Sequence, residues 1–72
     1  MNNLNMAKIQ LNGDPYEING GTNLNKLLNK LKIQKNKVAI EVNGEIIQKE
    51  KYEFLVLNKN DKVEIVHFIG GG

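Results

Sequence analysis

The chain closes on Val66-His67-Phe68-Ile69-Gly70-Gly71-Gly72, and the group there that can do chemistry is the terminal carboxylate of Gly72. Glycine has no Cβ, so three in a row can thread a slot too narrow for any other residue and leave the carboxyl open to attack. An α-carboxyl has a reference pKa of about 3.3–3.7, so it is ionised at neutral pH and is a poor electrophile. It reacts only after activation, most economically as an acyl-adenylate made from ATP by a separate enzyme. The activated carbonyl can then accept an amine, giving a conjugating modifier, or sulfide, giving a thiocarboxylate. The plain alternative is a frayed end or linker scar, since terminal glycines contribute nothing to a core.

No other set of residues offers a site. There is no cysteine and no serine, and His67 is the single histidine. Ser-His and Cys-His nucleophilic catalysis are therefore absent, as are disulfides and thiolate metal sites. We expect no metal. The eight carboxylates form no convergent pair, and Glu41 and Glu45 flank a hairpin as a solvated rim. Gly20-Gly21 precedes a helix but lacks a phosphate-binding motif, and a tight turn explains it. All ten basic residues are lysines. Bidentate reading of phosphate or guanine uses arginine, so the net charge of +2 does not point to nucleic acid. A chain without a thiol cannot carry sulfur as a side-chain persulfide, so any sulfur it carries must sit on its end.

At 72 residues the chain has room for one domain, burying only about 60% of its unfolded surface. No apolar run approaches the ~20 residues needed to cross a bilayer. Met1-Asn2-Asn3-Leu4-Asn5 lacks the basic and apolar regions of a signal peptide. These features suggest a cytoplasmic, monomeric protein without membrane attachment, with residues 1–5 as a disordered extension.

The elements that must present the tail follow from the pattern. Ala7, Ile9 and Leu11 alternate with polar residues as a half-buried strand starting at Met6. Asn12-Gly13 is a hairpin signal, and Tyr16-Glu17-Ile18 returns. Thr22 stands where a helix N-cap is expected. Leu24, Leu27, Leu28 and Leu31 then form one helical stripe that packs on the core. A polar connection over 33–37 leads to Val38, Ile40 and Val42, a third strand ending at the hairpin turn Asn43-Gly44. Glu45-Ile46-Ile47 is a short fourth strand. Tyr52-Glu53-Phe54-Leu55 reads as a turn of helix capping the core edge, and Asn58 to Asp61 as a turn. Lys62 to Phe68 is the last strand. The order β-β-α-β-β-β, with the helix as the crossover that lets the last strand lie parallel to the first, gives an α+β fold. Its topology is the ubiquitin-like β-grasp, a mixed sheet of about five strands with one helix across one face.

In the last strand Val63, Ile65 and His67 share one side, and Lys62, Glu64, Val66 and Phe68 the other. With Val63 and Ile65 facing the helix, Val66 and Phe68 lie exposed beside the tail as a docking surface. A bulge near the strand end would instead bury Phe68. His67 is expected on the inner side near the rim, as a packed, hydrogen-bonded residue.

Three segments carry a resemblance to a known family: Ile9-Gln10-Leu11-Asn12-Gly13, Val38-Ala39-Ile40-Glu41-Val42-Asn43-Gly44-Glu45-Ile46-Ile47, and Asp61 through Gly72. Over residues 6–72 the chain resembles the ThiS-type sulfur carriers of thiamine biosynthesis, relatives of ubiquitin and of the molybdopterin-synthase small subunit. The resemblance implies a carrier that is not itself an enzyme and has no bound cofactor. A ThiF-type enzyme would use ATP to adenylate Gly72, and a cysteine-desulfurase-derived persulfide would convert it to a thiocarboxylate. Thiazole synthase would then take the sulfur. Gly70 and Gly71 would thread the partners' channels, while Val66, Phe68 and Ile69 would dock. The chain departs from that pattern in its third glycine and in residues 1–5. Competing readings are a molybdopterin-type sulfur carrier, a ubiquitin-like protein modifier, and a non-catalytic β-grasp binding module, the last with incidental glycines and an RNA-associated form among its variants.

Overall fold

Two asparagine-glycine pairs set the register of the whole sheet. In the computed structural model, which describes residues 5–69, Asn12 and Gly13 both take positive φ (49° and 88°), as do Asn43 and Gly44 (53° and 86°). Successive left-handed residues build the two-residue turn whose twist matches paired strands, and asparagine and glycine tolerate it best. The first turn joins β1 (Met6–Leu11) to β2 (Asp14–Asn19), pairing Leu11 with Asp14. The second joins β3 (Val38–Val42) to β4 (Glu45–Ile46), pairing Val42 with Glu45. The last strand, β5 (Lys62–His67), lies between the hairpins, parallel to β1 and antiparallel to β3. The sheet order is β2-β1-β5-β3-β4, the expected mixed β-grasp sheet. Pro15, which cannot donate to a ladder, sits in the edge strand β2, where that costs least.

The turn asparagines also fasten the central strand. The parallel β1–β5 pairing covers only Gln10 with Lys62 and Leu11 with Val63. Beyond it the Asn12 side chain takes the place of a strand: its Oδ1 accepts from the Ile65 N–H at 2.7 Å and its Nδ2 donates to the Ile65 carbonyl at 3.3 Å. Asn43 does the same at the other flank, accepting from the Lys62 N–H at 2.9 Å and donating to Asp61 at 3.0 Å.

One helix, α1 (Leu24–Leu31), supplies the crossover. Leu24, Leu27 and Leu28 are buried as the stripe requires, and Leu31 is half-buried at the periphery of the core. The N-cap is Asn23, not Thr22: its side chain accepts from the Lys26 N–H at 2.8 Å. Thr22 is committed elsewhere, since its hydroxyl donates to the Asn19 carbonyl at 2.6 Å and closes the preceding turn. The next two helical N–H groups, on Leu24 and Asn25, find the carbonyls of Leu55 and Tyr52. At the other end Lys32 takes φ 60° and donates to the Asn29 carbonyl, while Ile33 donates to Leu28. This is a Schellman stop built on lysine instead of the usual glycine.

The connection at 33–37 contains a 3₁₀ turn over Lys35–Lys37. The helical turn expected at Tyr52–Leu55 lies three residues earlier, as a 3₁₀ turn over Lys49–Lys51. Tyr52 is fully buried while Phe54 is 71% exposed. Residues two apart do not share a helical face, so only one of these two rings can cap the core. Around Tyr52 the core gathers Ile9, Ile18, Leu27, Val38, Ile40, Leu57 and Val63 with the helix leucines. Of the extension expected at 1–5, residues 1–4 lie outside the described residues, and the Asn5 carbonyl accepts from the Gly20 N–H. Among the described residues no helix is long and apolar enough to cross a membrane.

Candidate functional site

Ala39 of β3 lies beside Val66, and Val38 beside His67. One residue further, the Phe68 N–H donates to the Lys37 carbonyl at 2.9 Å and extends the ladder past the strand's formal end. The chain is thus held by its backbone up to Phe68, two residues before Gly70.

What this end presents is apolar. Val66 is 59% exposed, Phe68 58% and Ile69 98%. Val66 and Phe68 fall on the open side of the strand with Ile69 next in the chain, and no bulge buries Phe68. Alternation and register place Ala39, Glu41, Ile46 and Glu64 on that same face. Gly70, Gly71 and Gly72 lie outside the described residues.

His67 departs from expectation. It was assigned to the inner side with Val63 and Ile65, but it is exposed, and the alternation of burial along β5 stops after Ile65. Val66 is exposed because it faces the open side, and His67 is exposed because the strand outruns the core that covers its inner side. Ile46, 69% exposed, and Phe54 line a shallow groove of about 540 Å³ with Glu45, Gln48 and Leu55 at the β4 edge.

Lys49 is the residue that the pattern did not single out. Its Nζ donates to the Val38 carbonyl at 2.6 Å. The same ammonium stands over two rings, 5.6 Å from the centroid of Tyr52 and 5.5 Å from that of Phe68. Tyr52 is three residues on, but Val38 and Phe68 are 11 and 19 residues away in the chain, so local spacing does not reveal the three-way contact. Tyr52, below it, keeps a buried hydroxyl with no hydrogen-bond partner. Burial pushes its pKa above the ordinary 10.0, opposed in part by the nearby Ile40 backbone.

Among the described residues no group of three or more His, Cys, Asp or Glu could hold a metal ion. This end of the sheet offers an exposed apolar surface at Val66, Phe68 and Ile69.

Comparison with known proteins gives these features a family. Residues 9–72 match the model of the ThiS family. The sulfur carrier protein ThiS of Bacillus subtilis is 40% identical over 65 residues, spanning 89% of this chain and 98% of that protein. A thiazole synthase of Magnetococcus marinus is 45% identical over 65 residues, which cover 90% of this chain but only 20% of that protein's length. Among solved structures, the crystal structure of the thiamine biosynthesis protein ThiS from Geobacter metallireducens superposes with a TM-score of 0.77 at 34% identity, covering 90% of this chain and 99% of that one. The central last strand and the glycine end lie within the matched span, and the chain belongs to the ThiS family.

Proposed function

We propose that this chain is a sulfur carrier of thiamine biosynthesis and that the carboxylate of Gly72 is the group that carries the sulfur. The supporting observation is that the family match extends from Ile9 to the last glycine. A carboxylate oxygen of Gly72 attacks the α-phosphorus of ATP in a ThiF-type enzyme, and pyrophosphate leaves. The terminal sulfur of a cysteine-desulfurase-derived persulfide then attacks the carbonyl carbon, and AMP leaves. A thiol cleaves the S–S bond of the resulting acyl disulfide, which frees the thiocarboxylate. Thiazole synthase takes that sulfur into the thiazole ring. The occurrence of a 45% identical stretch inside a thiazole synthase supports this pairing.

In this cycle the chain is a co-substrate and not an enzyme, and ATP is bound by its partner. Gly70 and Gly71 enter the partner's channel, where a Cβ would clash. Val66, Phe68 and Ile69 supply apolar docking area, and the sheet behind them holds that area in place. The experiment is ATP–pyrophosphate exchange catalysed by the adenylating enzyme, comparing this chain with one extended by a single alanine after Gly72. The extended chain should melt at the same temperature and support no exchange. Normal exchange with the extended chain would remove the terminal carboxylate from the mechanism.

A further inference from the structure

Lys49 joins the two parts of the molecule that the carrier cycle needs: the rigid core and the departing chain. Its ammonium is fixed by the Val38 carbonyl at 2.6 Å, a short charge-assisted hydrogen bond. Held there, the charge faces the buried ring of Tyr52 on one side and the exposed ring of Phe68 on the other, at 5.6 and 5.5 Å. Both distances lie within the range in which a cation is attracted to an aromatic face. Phe68 has few other restraints: its side chain is 58% exposed, and the residue after it is 98% exposed. Its backbone is tied once, to Lys37. The last ring before the glycines thus lies under one ammonium, itself anchored on the Val38 carbonyl of β3 and over Tyr52.

We propose that Lys49 is a positioning residue for the carrier reaction. It clamps the Phe68 ring against the end of the sheet and so fixes the direction of the chain at Ile69. The proposal rests on the reading of Gly72 as the reacting end. A chain whose direction is fixed at Ile69 has less conformational freedom to lose on docking to the partner. Losing the clamp should weaken productive docking more than it slows the chemical step, because Lys49 does not touch the reacting carboxylate.

Two measurements on the intact chain test this. In the free protein, amide order parameters at Phe68 and Ile69 should fall in K49M from about 0.85 toward 0.6, with Val63 and Ile65 unchanged. With the adenylating enzyme, K49M should raise the KM for the carrier about 2- to 30-fold, the span expected of one cation–aromatic contact, with kcat unchanged. K49R, which keeps a cation over the rings, should restore both readouts. In an F68L background, where the ring is gone, K49M should add no further rise in KM. The Ile69 amide should loosen in F68L as well, and Phe68 lies outside the core, so that variant folds independently of any effect of Lys49 on stability. Unchanged order parameters in K49M, an Ile69 amide as rigid in F68L as in the wild type, or an equal KM rise from K49M in both backgrounds would overturn the clamp. If the wild-type chain is not adenylated at all, the sulfur-carrier reading fails, and the order parameters still decide the role of Lys49.

Discussion

Phe68 and Tyr52 are the two rings beside Lys49, and they differ in what holds them. Phe68 is mostly outside the core, so Phe68→Asp should leave the thermal midpoint within a few degrees, as surface changes do. Its effect should fall on binding: the KM for adenylation should rise by about tenfold or more, which is what a loss of ~1.4 kcal/mol gives. A large fall in midpoint with unchanged KM would show Phe68 to be a core residue. Tyr52 is the reverse case. Its hydroxyl is buried without a partner, and leaving a polar group so costs about 1–3 kcal/mol. Tyr52→Phe should therefore be neutral or stabilising. The folded-state pKa lies above 10.0 because burial disfavours the phenolate. The fold then binds the proton more tightly than the unfolded chain, so its stability falls as pH rises through and beyond 10.0. In urea titrations across that range, the alkaline loss of stability should be smaller in Tyr52→Phe than in the wild type. An identical loss in both would mean that the phenol does not titrate with unfolding.

At the scale of elements, the hairpin turns do more than reverse the chain. Asn12→Gly keeps a residue that tolerates φ 49° but removes both hydrogen bonds to Ile65. The expected cost is about 1–3 kcal/mol at roughly 0.5–1.5 per bond, read as a lower urea midpoint with an unchanged slope. A loss of a few tenths only would mean that water replaces the side chain at no cost. The turns themselves were legible because Asn-Gly between alternating strands has one common solution. The leucine stripe was legible because 3.6-residue spacing puts Leu24, Leu27 and Leu28 on one face. The N-cap was misplaced by one residue because Thr22 and Asn23 are both capping types, and only tertiary structure shows that Thr22 is spent on Asn19. The helical turn near Tyr52 was misplaced because the sequence does not show which of the two rings fills the core: Tyr52 is buried and Phe54 is exposed. His67 failed for a related reason: alternation assigns a side of the strand but not the point at which the cover ends. Lys49 was illegible, because its contacts with Val38, Tyr52 and Phe68 are products of the fold.

At the scale of the whole molecule, the fold places the departing chain on its best-anchored strand. β5 is central, flanked by β1 and β3, and each neighbouring turn adds an asparagine to its backbone. The helix and the core occupy one face, and the chain beyond the core exposes Val66, Phe68 and Ile69. A sulfur carrier needs a rigid body that a partner can recognise and an end that reaches into the partner, and the central last strand joins the two. The most direct test is the intact mass of the chain after incubation with ATP, a ThiF-type enzyme, a persulfide donor and a thiol. We predict a gain equal to the replacement of one oxygen by sulfur, confined to the C-terminal peptide that contains Gly72. An unchanged mass, with partners that thiocarboxylate another carrier in the same assay, would contradict the account and make the glycines a simple end.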